Sequence, residues 1–314
     1  MFVFILLAGL TLVASAQTYP SKAVKLVVPY PPGGPTDVAA RLISGRLAAN
    51  LKQGFVVENR PGASGNIGNA AVAKAEPDGH TILLTVDTTL TANPSLFPEV
   101  GYDPKKDLKL VSLLVTFEQI VVAHTGVGAR SIQELFALAR QSSYAYASGG
   151  GGSAAHLTTE ALLQRAGVRM MHVPYKGNAP AVTAVVAGEV PIGVLATTAV
   201  LPLMKAGKMK ALAVSGLKRS ALVPDVPTIA ESGYPDFSAE FGILLAMPAR
   251  TPDHVVNALY SEVARVLQED EVRNALRNMG LEVTALNPED TRRRVDAETK
   301  RWSGVISSAG IRQD

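Results

Sequence analysis

Short apolar runs alternate with helical patterns along most of this 314-residue chain. The candidate strands lie at residues 24–29, 55–58, 81–85, 110–115, 120–123, 143–147, 170–173, 192–195, 209–214 and 243–246. These runs are apolar or β-branched, and several are bounded by Gly or Pro, which is typical of short buried strands. Because helical patterns fill most of the intervals between them, the alternation predicts an α/β fold with largely parallel sheets.

The alternation forms two successive series, one ending near residue 124 and one running from about residue 131 to 238. The chain then returns to a strand and long helices. We therefore predict a discontinuous first lobe, residues 17–123 plus 243–314, and a second lobe, residues 124–242. The two connections, near residues 117–124 and 237–245, are suited to act as a two-segment hinge.

The N-terminus has the pattern of a secretory signal peptide. Residues 1–13 are almost wholly apolar, and Ala14-Ser15-Ala16 forms a small-x-small cleavage site before Gln17. The apolar segment is shorter than the ~20 residues that a membrane-spanning helix needs. We predict cleavage after Ala16, export to the periplasm, and a soluble mature protein.

Composition and charge exclude several classes of function. The chain has no cysteine, so disulfides, thiol nucleophiles and Cys-ligated metals are excluded. None of the five histidines forms an HxxxH or HExxH pair, so we predict no metal site and no cofactor. The basic run at residues 292–294 is flanked by Glu289, Asp290, Asp296 and Glu298, which is typical of a solvated helix face rather than of a nucleic-acid surface.

The first loop with the character of a binding site spans residues 29–37 (PYPPGGPTD). Gly33 and Gly34 let the backbone approach a ligand, and the helix that follows offers free N–H groups to an anion. Thr36 or Asp37 can cap that helix. A rigid capped turn explains the loop as well as anion binding does.

A second glycine-rich loop, residues 147–156 (ASGGGGSAAH), follows a candidate strand in the second series. Four consecutive glycines carry a large ordering cost on folding, which favours close approach to a ligand over a plain turn. Ser153 is a candidate cap of the next helix, and Ser131 with Glu134 forms a capping box before another. His156, in the first helical turn, can either bind or pack.

Two further loops follow strands. Lys176 can supply a positive charge and Asn178 a helix cap or a ligand hydrogen bond, although a surface lysine and a plain cap fit equally well. Asp87 and Thr88 lie in a hydroxyl-rich segment that is either an ordinary capped turn or a ligand contact. Because ligands of open α/β sheets bind beyond the carboxyl ends of strands, the four loops predict a cleft between the lobes. Without an arginine cluster, that lining suits a small carboxylate better than a nucleotide.

The chain closely resembles the solute-binding receptors of tripartite tricarboxylate transporters, also called Bug-type receptors. The resemblance covers essentially the whole mature chain. The matching segments are residues 19–22, 26–37 (LVVPYPPGGPTD), 57–68 (VENRPGASGNIG), 73–81 (AKAEPDGHT), 148–156, 173–177 (VPYKG), 211–215, 218–220 and 224–233 (PDVPTIAESG). Many members carry a tryptophan near residues 238–242, whereas the only tryptophan here is Trp302.

The resemblance implies a type II periplasmic-binding-protein fold whose two lobes close on a di-, tri- or aromatic carboxylate. It implies that the first lobe holds the ligand through Pro31, Gly33, Gly34, Thr36 and Asp37. The second lobe would hold it through Ser148, Gly150, Gly151, Ser153 and His156. It further implies a monomeric receptor without catalytic residues that delivers its ligand to membrane permease subunits.

Two other functions share parts of this pattern. A ligand sensor for a signalling partner would have the same fold and ligand. A hydrolase would use His156 as base and Ser148 or Ser153 as nucleophile, but the spacing shows no carboxylate to orient the histidine. Glu160, four residues after His156, is better explained as its neighbour on the helix surface. The receptor is therefore the predicted class.

Overall fold

The computed structural model describes residues 19–313, so the predicted signal peptide at residues 1–16 and its cleavage site lie outside the described residues. No helix within residues 19–313 is long and apolar enough to cross a membrane. The strands are β1 (Val24–Val28), β2 (Phe55–Asn59), β3 (Thr81–Val86), β4 (Leu108–His124), β5 (Ala145–Ser148), β6 (Met171–Pro174), β7 (Ile192–Ala196), β8 (Met209–Val214), β9 (Glu240–Pro248) and β10 (Glu282–Leu286). The helices are α1 (Pro35–Leu51), α2 (Asn66–Ala73), α3 (Thr88–Thr91), α4 (Asn93–Leu96), α5 (Ile132–Gln141), α6 (Ala154–Ala166), α7 (Asn178–Ala187), α8 (Thr197–Lys205), α9 (Asp253–Gln268), α10 (Asp270–Asn278) and α11 (Pro288–Ala309).

The strands pair in the order β2-β1-β3-β9-β4-β7-β5-β6, with β8 and β10 also paired to β4. Pairing is parallel where strand and helix alternate, between β1 and both β2 and β3, and between β5 and both β6 and β7. It is antiparallel wherever β4 or β9 takes part. The predicted α/β architecture is thus present, but the expectation of largely parallel sheets is wrong at the centre, because β4 and β9 run against their neighbours.

Strand β4 joins the two βα series. Residues 108–118 pair with β9, whereas residues 119–124 pair with β7 and β8. The two strands predicted at 110–115 and 120–123 are therefore one continuous strand, and the polar residues between them lie where the pairing partners change. The predicted lobe boundaries and hinge segments stay predictions.

Strand β10 was missed in the sequence. Its five residues are exposed or half-buried, and it pairs only with a short part of β4, across a register shift. A peripheral strand of this kind lacks the buried apolar run by which the other strands were found.

Two helix caps match their predictions and one does not. Ser131 and Ser153 accept hydrogen bonds from the third helical N–H groups of α5 and α6, those of Glu134 and His156. Helix α1, in contrast, begins at Pro35 after Gly34, with no side-chain cap. The expectation that Thr36 or Asp37 caps this helix is wrong, because the helix starts before either residue.

Helix α11 buries one face along its length, at Thr291, Val295, Trp302 and Ile306. Trp302 and Ile306 are buried in the same apolar cluster as Leu157 and Tyr146. The indole of Trp302 stacks on Phe241 of β9, with ring centroids 5.1 Å apart and planes inclined by 14°. The only tryptophan of the chain thus reaches the segment near residue 241 from a distant helix.

We expect Trp302→Ala to lower the free energy of unfolding by about 3–5 kcal/mol, because it removes a fully buried aromatic ring and leaves a cavity. Trp302→Phe, which keeps a ring against Phe241, should lose clearly less. Urea unfolding followed by far-ultraviolet circular dichroism measures both, since the substitutions remove the intrinsic fluorophore. A loss within about 0.5 kcal/mol for the alanine variant, as at a surface site, would contradict the packing described.

Candidate functional site

A cavity of about 230 Å³ lies at the carboxyl ends of strands from both βα series. Four helices begin at its wall: α1 after β1, α6 after β5, α7 after β6 and α8 after β7. The polar residues that reach the cavity from these helix starts are Thr36, Ser153, Asn178, Thr197 and Thr198. The cavity thus occupies the edge at which open α/β sheets bind ligands.

The starts of these helices are mostly uncapped. In α1, α7 and α8 no side chain accepts a hydrogen bond from the first turn. In α6 the Ser153 hydroxyl accepts only from the N–H of His156. Since the first N–H groups of a helix have no partner within the helix, several donors are left for a ligand in the cavity.

The helix starts are the feature of the lining that favours an anion. No Lys, Arg or His lines this cavity among residues 19–313, and Glu118 is its one charged side chain. The first turn of α1 contains Asp37, which does not line the cavity. The first turns of α6, α7 and α8 contain no acidic residue. Each helix start contributes about 0.3–1 kcal/mol to the binding of a nearby anion, and up to about 2 kcal/mol where the geometry is partly buried.

A larger groove of about 880 Å³ lies elsewhere, where α9 and α11 begin. Here the helix starts already have carboxylates, since Asp253 and Glu289 occupy their first turns. The lysines at its wall are paired as well, Lys105 with Asp296 at 2.6 Å and Lys109 with Asp253 at 2.9 Å. The smaller cavity is therefore the better candidate for a solute site.

Asp37 supports the first loop and does not line the cavity. Its carboxylate accepts from the N–H of Gly33 at 2.9 Å, from Nδ2 of Asn59 at 2.9 Å and from Nε of Arg41 at 3.0 Å. Burial alone would raise the pKa of Asp37, but the hydrogen bonds from Arg41, Gly33 and Asn59 outweigh it and hold this pKa below its ordinary value. Asp37 is thus ionised, and its hydrogen bonds fix the turn before α1.

The glycine-rich loop reaches the cavity through Gly149. Gly150 and Gly152 have φ angles of +141° and +68°, which explains the need for glycine at these positions. Gly151 lies against Gln313, whose amide nitrogen would be 2.2 Å from an added Cβ. The loop is therefore shaped by its backbone conformation, and neither Gly150 nor Gly151 lines the cavity.

Two stacked histidines that do not line the cavity form hydrogen bonds to this loop. The N–H of Gly152 donates to Nδ1 of His156 at 2.9 Å, and Nε2 of His172 lies 2.7 Å from the Ser148 hydroxyl. The two imidazoles stack with centroids 3.8 Å apart. Burial and the neighbouring His172 lower the pKa of His156 to about 3, and burial lowers that of His172 to about 4. Both rings are therefore neutral near pH 7.

Asp87 is buried against β9, where it bonds to Gly242. Its Oδ2 accepts from the N–H of Gly242 at 2.8 Å, and its own N–H donates to the carbonyl of Gly242 at 2.8 Å. Burial is the main cause that raises the pKa of Asp87 to about 7. Asp87 and Thr88 thus lie at the start of α3 and do not line the cavity.

The structure brings three of the predicted residues to the cavity, namely Thr36, Ser153 and Asn178. Lys176 is exposed beside it. Direct ligand contact stays a prediction for all of the predicted residues. Those that do not line the cavity are Pro31, Gly33, Gly34, Asp37, Asp87, Thr88, Ser148, Gly150, Gly151, His156 and Lys176.

Sequence reasoning missed three parts of the lining. Thr197 and Thr198 begin α8 immediately after β7, and their hydroxyl pair directly after a strand was a usable signal. Glu118 and Gln119 line the cavity from β4, and their signal was the polar interruption of a long apolar run. Residues 279–281, which close another side, carry no local signal at all.

The arrangement does not support a hydrolase. The Ser148 hydroxyl contacts His172 rather than His156, but Ser148 is fully buried and does not line the cavity. Ser153 does line it, yet its hydroxyl accepts from the backbone N–H of His156, while the imidazole bonds to Gly152. A nucleophile needs its base within reach on the substrate side, and this cavity lacks that pair within the described part of the chain.

The fold and the cavity together define a solute-binding protein: a small cavity at strand ends, with helix N-termini as its polar wall. Comparison with known proteins agrees. The model of the tripartite tricarboxylate transporter family receptors matches residues 39–311, and the chain belongs to this family. It is 36% identical to BugT of Bordetella pertussis over 313 residues, which cover 99% of this chain and 96% of BugT.

Solved structures of related proteins have the same fold. Rpa4515 of R. palustris with adipate is 35% identical, with a TM-score of 0.83 and coverage of 94% of this chain and 99% of that one. MatC of Rhodopseudomonas palustris with bound malate is 32% identical, with a TM-score of 0.78 and coverage of 92% and 100%. The family consists of periplasmic solute-binding receptors rather than enzymes. The predicted family, fold and non-enzymatic class are therefore confirmed.

The histidine pair predicts a loss of stability in mild acid. Because the pKa of each buried histidine lies below its ordinary 6.5, the unfolded chain takes up protons first as the pH falls, and stability decreases below about pH 6.5. For His156 this should amount to about 2 kcal/mol between pH 7 and pH 5. His156→Asn, whose amide oxygen can accept from Gly152, should lose less stability over that interval.

Urea unfolding of wild type and variant at both pH values measures the difference, and the other titrating groups cancel in the comparison. The same pH dependence in the two proteins would contradict a neutral, buried His156.

Proposed function

We propose that this protein captures a small organic carboxylate in the cavity and delivers it to the membrane subunits of a tripartite tricarboxylate-type transporter. The observation that carries the proposal is the convergence of four helix starts on one cavity. The related structures with adipate and with malate support it, since both of these ligands are carboxylates.

Hydrogen bonds supply the affinity in this proposal. The ligand carboxylate accepts from backbone N–H groups of helix starts in both series, and the hydroxyls of Thr36, Ser153 and Thr198 add further donors. A hydrogen bond to a charged group contributes about 1.5–3 kcal/mol. Phe117 and Ile243 offer apolar surface to the carbon skeleton of the ligand. The volume lies below the ~300–1,000 Å³ of pockets for drug-sized molecules, which favours a short ligand.

The cellular setting is part of the proposal. The predicted signal peptide would export the chain, and its relatives are periplasmic binding proteins. In the periplasm the receptor would act as a monomer that collects ligand and presents it to the permease subunits.

A thermal-shift panel of mono-, di-, tri- and aromatic carboxylates tests the ligand class. A ligand present at 100 times its dissociation constant stabilises the folded state by about 2.7 kcal/mol, which is large enough to detect. We expect at least one small carboxylate to raise the melting temperature and matched amines to have no effect. A ligand without a carboxylate as the best stabiliser would contradict the proposal.

Two matched serines test the site itself. Ser153→Ala removes a hydroxyl from the cavity wall and should weaken binding of the carboxylate at least tenfold, which corresponds to about 1.4 kcal/mol. Ser131→Ala removes the equivalent cap of α5, away from the cavity, and should cost about 1 kcal/mol of stability while affinity stays unchanged. Calorimetric titration of both variants decides the matter. Equal affinities in the two variants would mean that Ser153 is only a helix cap.

The proposed hinge predicts closure on binding. Saturating carboxylate should reduce the radius of gyration measured by small-angle scattering, because two crossing segments allow the lobes to rotate towards each other. At one subsaturating ligand concentration, the Ser153→Ala variant should show a smaller decrease in the radius of gyration than wild type, since fewer of its molecules have bound ligand. An unchanged radius in the saturated wild type would argue against the predicted lobes.

A further inference from the structure

Glu118 is the one charged side chain that lines the cavity among the described residues. It comes from β4 at the point where this strand changes pairing partners, between its contacts with β9 and with β7. No Lys or Arg forms an ion pair with it within residues 19–313. A site built for an anion therefore contains an unpaired carboxylate.

Uncharged donors alone satisfy this carboxylate, namely two hydroxyls and the backbone N–H of Glu118 itself. The Thr197 hydroxyl donates to Oε1 of Glu118 at 3.3 Å, and Ser220 contributes a side-chain hydrogen bond. Glu240, directly opposite in the strand pair, adds a like charge rather than a counter-ion. A carboxylate offers about four acceptor positions, so Glu118 can accept further hydrogen bonds from a ligand.

Burial is the largest cause that raises the pKa of Glu118, and the nearby Glu240 raises it further, while Ser220 and Thr197 act in the opposite direction. The raised pKa reflects a negative charge that the surrounding residues do not fully compensate. A ligand carboxylate placed against Glu118 would add charge repulsion. A hydrogen-bond donor of the ligand would instead stabilise the negative charge of Glu118.

We propose that Glu118 selects carboxylates whose other end carries a hydrogen-bond donor, namely a hydroxyl, an amide or an ammonium group, over plain dicarboxylates of the same length. The inference rests on the proposed function, because it presumes that one carboxylate is held at the helix starts. Phe117, Ile243 and Leu281 line the same cavity and provide apolar surface for a short carbon chain between the two ends.

Calorimetric titration with matched ligands tests this selection. The four-carbon probes are succinate, succinamate, 4-hydroxybutyrate and 4-aminobutyrate, and the six-carbon probes are adipate, 6-hydroxyhexanoate and 6-aminohexanoate. We expect wild type to bind the tightest donor-ended probe at least tenfold more tightly than the dicarboxylate of its own length. Glu118→Gln should bind that dicarboxylate at least tenfold more tightly than wild type does, and the amino acids at least tenfold more weakly.

Glu240→Gln is the matched control. It removes the same charge from the residue opposite Glu118, but Glu240 does not line the cavity, so the wild-type order of ligands should persist. Thermal unfolding in the absence of ligand verifies that both variants are folded.

The two proposals fail in different ways. Dicarboxylates that bind wild type as tightly as the donor-ended probes, with the same order in Glu118→Gln, would overturn the selection by Glu118 and leave carboxylate capture intact. If Glu240→Gln changed the affinity order of the probes as Glu118→Gln does, selection by Glu118 would be overturned as well. The loss of one negative charge near the cavity would then be enough to explain the change. If no carboxylate bound the folded wild type or the folded Glu118→Gln variant, the proposed function would fall, and this inference with it.

Discussion

The unpaired N–H groups at helix starts are the constraint on which the site depends. Helices α1, α7 and α8 begin at the cavity without a side-chain cap, and α6 is capped only in part. Among the helices away from the cavity, Ser131 caps α5 and Asn287 caps α11, while α9 and α10 have no side-chain cap but carry acidic residues in their first turns. An anion in the cavity would complete four helices at once, because their dipoles and free donors converge there.

Polar side chains near the cavity mainly hold its backbone in place. Asp37 fixes the turn at Gly33, and the neutral imidazoles of His156 and His172 support the glycine-rich loop. A residue that binds the loop on the side away from the cavity positions the N–H groups of the loop without occupying the ligand's place. The preorganised backbone thus depends on groups that remain uncharged or internally paired, and its stability depends on pH.

The two connections between the βα series are held differently. The first is continuous β structure through β4, which carries Glu118 at its midpoint. The second, which leads into β9, is held by donors from α11, with Arg301 bonded to the carbonyl of Ser238 and Arg294 to that of Glu240 at 3.1 Å. Asp87 accepts from Gly242 beside it. The proposed specificity residue Glu118 therefore lies on one of the two connections of the proposed hinge.

The sequence by itself determined the α/β alternation, the family, the glycine-rich loops and the caps at Ser131 and Ser153, since each depends on residues a few positions apart. Only the tertiary structure decided which polar residues reach the cavity. Asp37 and Asp87 resemble ligand contacts in the sequence, yet each turns to backbone N–H groups. Glu118, Thr197 and residues 279–281 line the cavity because distant elements pack together. A local polar signal marks Glu118 and Thr197 but does not say where they lie, and residues 279–281 have no such signal.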